Sequence, residues 1–288
     1  MKAPLTISHR NISLVLSIEP IEEVLPHEQV LPDMLAAMRN SLKRSRAQLD
    51  PVIVDDGTGV ALDGMHRVEA LKGMGASKIL VCRVDYSSPA IKLGRWLRAY
   101  EGMSNPLLED LKVLLDLTRV SGAEAMSEVE GHRSPAALFV GGVSFKSLLP
   151  FEGVRESLEL VRVFDETAAR SGIKPKIVAE KEARRLIGSD AFVFYPPSLA
   201  KGDVIQSGLT RRLLPPKSTR HLIPARPVGI SYPLEWLLDG GISKEEANRR
   251  LSDIVGGSEV VTLRPGSKYM GRVYEEPLLR YVRKGKGR

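Results

Sequence analysis

Residues 63–67 read D-G-M-H-R, which sets an acid, a glycine, a histidine and an arginine at the point where an apolar strand pattern gives way to a helical one. The first amides of a helix have no intrahelical acceptors and lie at the positive end of its dipole, so a strand-to-helix turn of this kind can seat a phosphate. Gly64 lets the backbone approach the ligand. His66 and Arg67 add side-chain donors, the arginine in a fork that matches phosphate oxygens. Asp63 has two readings, a helix cap or a ligand for Mg²⁺ beside the phosphates.

A second concentration of donors lies in L-L-P-P-K-S-T-R-H-L-I-P-A-R-P, residues 213–227, which holds Lys217, Ser218, Thr219, Arg220, His221 and Arg226 between prolines. Proline stiffens the backbone while the polar side chains supply donors, a combination suited to an anion. An exposed connector with basic decoration is the other reading. A third candidate is the acid of L-P-H-E-Q-V, Glu28, which could take a proton from a hydroxyl. Glu22, Glu23 and Asp33 lie close by in sequence, so residue type alone does not single it out. His27 reads as structural or nucleotide-facing.

These residues need elements to hold them. Residues 12–18 alternate as a strand, and a helix begins at Pro32 with Leu35, Met38 and Leu42 on one face. Asp50-Pro51 is expected to stop it. Residues 52–54 and 60–62 flank an Asp-Gly turn as a hairpin, a helix follows from Met65 to Lys72, and residues 79–86 make another strand. Farther on, helices are expected over 106–120, 153–172 and 181–186, with short strands over 136–140, 176–179 and 191–195. The fold class is α/β (α+β), with a mixed sheet and flanking helices over residues 1–100 and a second α/β domain over 101–288 that contributes the loop 213–227.

Composition narrows the class. The chain has 288 residues, 43% of them hydrophobic, which is enough for a sizeable core and argues against disorder. Neither a signal-peptide pattern nor a membrane-length apolar run is present, so a cytoplasmic protein is expected. The net charge of +7 fits nucleic acid or phosphorylated small molecules equally. Lys43 to Arg46, late in a helix, read equally as a dipole-favoured solvated face. The lone Cys82 lies in an apolar strand and reads as a core thiol, and one cysteine excludes an intrachain disulfide.

The order strand, D-G-x-H-R, V-E-A-L helix, glycine, strand resembles the ParB/sulfiredoxin superfamily, in which this turn holds nucleotide phosphates. Sulfiredoxins need a cysteine immediately before the histidine, and Met65 stands there. A thioether cannot do thiolate chemistry. ParB-type partition proteins bind CTP at an arginine-rich version of the turn and carry a helix-turn-helix, so nucleotide-dependent DNA binding is the alternative. The chain resembles the free L-serine kinases at more separated points. L-P-H-E-Q is similar to their K-P-H-E-Q segment, whose glutamate is the catalytic base and falls on Glu28. Asp63, Gly64, His66 and Arg67 match their turn, with Met65 replacing the first of two histidines and Val68 an aromatic. Pro216 to His221 resembles their P-K-T-T-R-H loop, with Ser218 for the first threonine. Trp96 and Ser41 fall at substrate-contacting positions, although Trp96 reads equally as a packing residue. Arg220 reads equally as the partner of a scaffold acid.

The resemblance implies phosphoryl transfer from ATP or ADP, with Mg²⁺, to the hydroxyl of L-serine. Glu28 and Asp63 would be catalytic, with Asp63 on the metal, and residues 63–67 would hold the nucleotide. Ser41, Trp96 and Lys217 to His221 would bind the substrate. Partners would be the nucleotide and serine, with neither nucleic acid nor membrane.

Overall fold

The computed structural model describes residues 5–9 and 12–284, and the chain folds as two units, each assembled from separate stretches of sequence. The first joins residues 1–92, 201–213 and 221–288; the second joins 93–200 and 214–220. This differs from a division near residue 100 into consecutive domains. The strand Lys92–Tyr100 belongs to the second unit's sheet, and the C-terminal segment returns to the first unit.

The first unit is built on a six-stranded mixed sheet in the order Leu5–His9, Ile12–Pro20, Lys78–Val84, Val52–Asp55, Val60–Asp63, Leu25–Pro26. The expected hairpin is present, with Val52–Asp55 antiparallel to Val60–Asp63. Lys78–Val84 lies at the sheet centre and is buried almost throughout, not alternately, because both of its faces are covered. Cys82 is fully buried there, and burial pushes its thiol up to about 12, as fits a core thiol. The helix Pro32–Ser45 starts at its proline and buries Leu42. It stops at Arg46, in the left-handed region, several residues before Asp50-Pro51. It packs against Met65–Lys72, which has the expected bounds.

Two later segments complete this unit. The helix Lys201–Thr210 lies against Val60–Asp63 with Gly208 at the contact. The helix Lys244–Gly256 is capped by Ser243 Oγ, which accepts from the Glu246 amide. Its Asn248 bonds both the amide and the carbonyl of Ile18, at 2.9 Å each, and so docks the helix on the main sheet. The C-terminal strand Leu278–Arg283 pairs with Arg226–Val228 and Ser258–Leu263 in a small sheet.

In the second unit the sheet order is Lys176–Ala179, Lys92–Tyr100, Phe192–Tyr195, Ala137–Val140, Val143–Ser147, Leu117–Val120, with Thr219–Leu222 also paired to Lys92–Tyr100. One face buries Tyr100, Phe164 and Phe194, and the other Leu97, Phe139 and Tyr195, as the two-residue period of a strand requires. The helix expected over 106–120 ends at Leu114. Asp116 takes a left-handed φ of 46°, and Leu117–Val120 pairs with Val143–Ser147 instead. Sheet pairing there overrides the helical spacing. The expected stiff loop 213–227 is also partly extended, as the strands Thr219–Leu222 and Arg226–Val228.

Gly208 gives a test of the packing that supports Asp63. A Cβ at this position would lie 2.7 and 2.8 Å from the two methyls of Val60, a stiff β-branched side chain. Gly208→Ala should therefore destabilise the protein by about 1–3 kcal/mol through overpacking, despite the roughly 1 kcal/mol that alanine gains over glycine in a helix. Thermal unfolding checks the sign; a raised midpoint would contradict this packing.

Candidate active site

Leu25 pairs with Val60 and Pro26 with Ala61 in a parallel ladder, and Glu28 follows two residues beyond this strand. Glu28 and Asp63 both lie close enough to His221 to act on its charge. Glu28 is only 4% exposed, whereas the Asp63 side chain keeps 35% of its surface open. The segment before Glu28 is tied down on several sides. His27 is fully buried, its Nδ1 donates to the Ala61 carbonyl, and its Nε2 lies 3.6 Å from Glu28 Oε1. Ser207 Oγ, from the helix Lys201–Thr210, lies 2.9 Å from the His27 carbonyl.

The turn itself has the form a phosphate seat needs. Gly64 is the N-cap residue of Met65–Lys72, with φ 103°, a conformation that side chains resist. A Cβ there would come within 2.9 Å of Arg67 Nη1 and 3.1 Å of Val52. The N-cap position is a glycine, so the cap residue itself brings no side chain to the helix start. Asp63 pairs with the buried Arg226. Arg67 Nη1 donates to the Pro51 carbonyl at 3.0 Å, which fixes the guanidinium at the turn while other N–H groups of its fork can still reach a ligand. His66 Nε2 accepts from the Leu31 amide at 3.1 Å, so the histidine that resembles a phosphate ligand also fastens the Glu28 segment to the turn. Met65 is buried and packs inward. Ser41 lies half-buried on the helix Pro32–Ser45.

His221 joins this cluster from the far end of the chain. Its Nε2 is 2.7 Å from the Tyr86 hydroxyl, and its ring meets His27 edge-on at a centroid distance of 5.6 Å. Burial first, then the neighbouring His27, pushes His221 down to about 3, against the opposing pull of Glu28 and Asp63. The imidazole is therefore neutral at ordinary pH. One ring nitrogen then carries a hydrogen and the other a lone pair, and either can be the one that meets the Tyr86 hydroxyl, which both donates and accepts. Arg226 holds the same residue by its backbone, with Nη2 donating to the His221 carbonyl at 3.2 Å.

The remaining members of the basic segment lie in the second unit. Arg98 is buried and donates to the carbonyls of Lys217 at 2.7 Å and Pro216 at 2.6 Å, clamping the backbone just where Lys217 takes a left-handed φ of 59°. Ser218 Oγ donates to the Pro215 carbonyl at 2.8 Å, and Thr219 is buried. Arg220 stacks over Trp96 at 5.1 Å, which gives Trp96 a packing role within this unit. Sequence reasoning did not single out Tyr86, Ser207, Arg98 or Glu276, and it gave Arg226 no partner.

Among the described residues no group of three or more His, Cys, Asp or Glu is arranged to hold a metal ion. Mg²⁺ bound with a nucleotide commonly takes only one or two protein carboxylates, the rest of its shell being phosphate and water, and the part-open Asp63 fits that pattern.

Comparison with known proteins follows this geometry closely. An ATP-dependent L-serine kinase from Staphylothermus marinus is 26% identical over 237 residues, covering 77% of this chain and 93% of the relative. An ADP-dependent L-serine kinase from Thermococcus kodakarensis is 29% identical over 224 residues, covering 75% and 90%. A solved structure of a substituted free serine kinase in complex with ADP superposes with a TM-score of 0.66 at 27% identity, covering 77% of this chain and 93% of that one. This chain resembles the free L-serine kinases. The likeness to these kinases extends over nearly their whole length, well beyond the first hundred residues, and carries the ParB/sulfiredoxin-like α/β fold with it. No family model matches the sequence.

The depressed His221 makes the site legible in a titration. Its folded value of about 3 lies below the ordinary 6.5, so between those limits the unfolded chain binds the extra proton. This contribution is complete above pH 6.5 and is lost as pH falls toward 3. Urea unfolding across that window should show stability falling by up to ~1.4 kcal/mol per pH unit from this group, and His221→Asn should remove that part of the slope. An unchanged slope in the variant would show that His221 is not held neutral.

Proposed function

We propose that this protein transfers a phosphoryl group from ATP or ADP to the hydroxyl of free L-serine, giving O-phospho-L-serine. The observation that carries the reading is a buried Glu28 whose neighbour His27 is bonded to Ala61, on the strand that ends at Asp63 and leads into a helix start opened by Gly64. That is the pairing of base and phosphate seat that phosphoryl transfer to an alcohol requires.

In this reading the amides at Gly64 to His66 and the Arg67 fork hold the nucleotide's diphosphate. Glu28 accepts the serine hydroxyl proton as the new oxygen–phosphorus bond forms and the bond to the departing nucleotide breaks. A positioned carboxylate contributes roughly 10²–10⁴-fold to such a step. Asp63 would hold Mg²⁺, which would offset charge on the phosphoryl oxygens. His221, kept neutral by burial, is a hydrogen-bonding group that adds no charge to the cluster. Ser41, Trp96, Lys217, Ser218, Thr219 and Arg220 are assigned to the amino-acid substrate on the resemblance alone. Lys217 is the ammonium suited to the serine carboxylate.

The DNA-binding alternative gives no use to a buried Glu28 beside the buried His27. No helix among the described residues is long and apolar enough to cross a membrane, and a cytoplasmic location suits an enzyme that uses free nucleotide and free serine.

Glu28→Gln keeps the shape and removes the base. It should cut O-phosphoserine formation by at least about 10²-fold while ADP binding stays within a few-fold of wild type; turnover near the wild-type rate would end the base assignment. Lys217→Ala should raise the serine KM about tenfold or more, as expected for one charge-assisted contact, and a KM unchanged from wild type would remove Lys217 from the substrate site.

A further inference from the structure

Tyr86 is buried, and both its backbone and its ring are fastened. Its amide donates to Oδ1 of the buried Asp55 at 3.1 Å, and Asp55 Oδ2 in turn accepts from the amide and the hydroxyl of Thr58, at 3.0 and 2.6 Å. The Lys201 ammonium donates to the carbonyls of Tyr86 at 2.8 Å and Ser88 at 2.7 Å, and it also lies over the Tyr86 ring, 5.0 Å from the centroid. Held in this way, the phenol presents its hydroxyl to Nε2 of His221 at 2.7 Å. Lys201 opens the helix whose Ser207 bonds the His27 carbonyl, so one helix supports both His221 and the segment that carries Glu28.

An imidazole has two polar atoms, its ring nitrogens. With Nε2 engaged by Tyr86, Nδ1 is the one left for a ligand. A tyrosine hydroxyl both donates and accepts, so this bond forms whichever nitrogen carries the hydrogen. The torsion that turns a histidine ring has broad wells, and without a partner on Nε2 the ring is free to present a carbon edge in place of Nδ1. We infer that Tyr86 is a positioning residue for amino-acid recognition: its hydroxyl fixes the His221 ring so that Nδ1 meets a polar group of the bound L-serine. This rests on the reading of His221 as a substrate residue of the proposed kinase, and it gives a task to a tyrosine 135 positions away from that histidine in sequence.

The test is calorimetric titration of the full-length protein with L-serine in the presence of ADP and EDTA, and separately with ADP, alongside an O-phosphoserine assay. Tyr86→Phe keeps the ring and removes the hydroxyl. Its affinity for L-serine should fall about tenfold, the upper range for one hydrogen bond, while its affinity for ADP stays within about twofold of wild type. Residues that act through one contact are not additive, so in a His221→Asn background Tyr86→Phe should weaken serine binding further by less than about twofold. Serine affinity in Tyr86→Phe equal to wild type would overturn the inference. So would an equal loss for serine and ADP, or an undiminished loss in the His221→Asn background, either of which a merely structural role predicts. If Tyr86→Phe does not fold, Lys201→Gln, which loosens the Tyr86 backbone and ring, decides by the same comparison: a loss confined to serine supports the inference, and any other pattern overturns it. A wild-type protein that makes no O-phosphoserine but shows the serine-specific loss in the variant would sink the kinase reading alone. An active wild type with an indifferent variant would sink this inference alone.

Discussion

A single buried guanidinium organises the polar interior of the first unit. Arg226 is bound to the side chain of one candidate catalytic residue, Asp63, and to the backbone of another site residue, His221, while Glu276 supports it from behind. Burying such a charge is costly, and it is tolerated because carboxylates and a carbonyl engage each of its three nitrogens. Asp63 is thereby held at the end of its strand, where the next residue is the left-handed Gly64 and the first helical amides begin. The proposed phosphate seat is thus fixed by local backbone geometry, and the charge beside it by a long-range pair.

The proposed proton acceptor has a separate support. Glu28 gains its position from a short parallel strand against Val60–Asp63, reinforced by His27 on the Ala61 carbonyl, Ser207 on the His27 carbonyl and His66 on the Leu31 amide. Each bond ties the segment to an element that also holds the phosphate turn. A base and a phosphate must keep their separation to a fraction of an ångström through a reaction, and sheet register is a rigid way to achieve that.

The sequence made the turn readable because its information is local. Gly64, the bounds of Met65–Lys72 and the hairpin before it follow from period, turn chemistry and helix-terminus physics within about twenty residues. Glu28 was readable through resemblance to a known motif, since three neighbouring acids competed with it on residue type. The Arg226–Glu276 pair was not legible, because nothing in either residue's neighbourhood names a partner 50 positions away. The division into units was also hidden. Residues 92–100 fell within the expected first domain, and only tertiary pairing with Phe192–Tyr195 and Lys176–Ala179 shows that the strand Lys92–Tyr100 belongs to the second sheet. The helix expected over 106–120 failed for the same reason, as Leu117–Val120 was claimed by a neighbouring strand.

The central claim is that the Gly64–Arg67 turn and Glu28 meet at one phosphorus. A crystal structure with ADP, Mg²⁺ and L-serine tests it most directly. The account predicts the diphosphate on the amides that open the helix Met65–Lys72, with a Glu28 carboxylate oxygen at about 2.6–3.2 Å from the serine hydroxyl. A diphosphate bound elsewhere, or a serine hydroxyl beyond reach of Glu28, would contradict it.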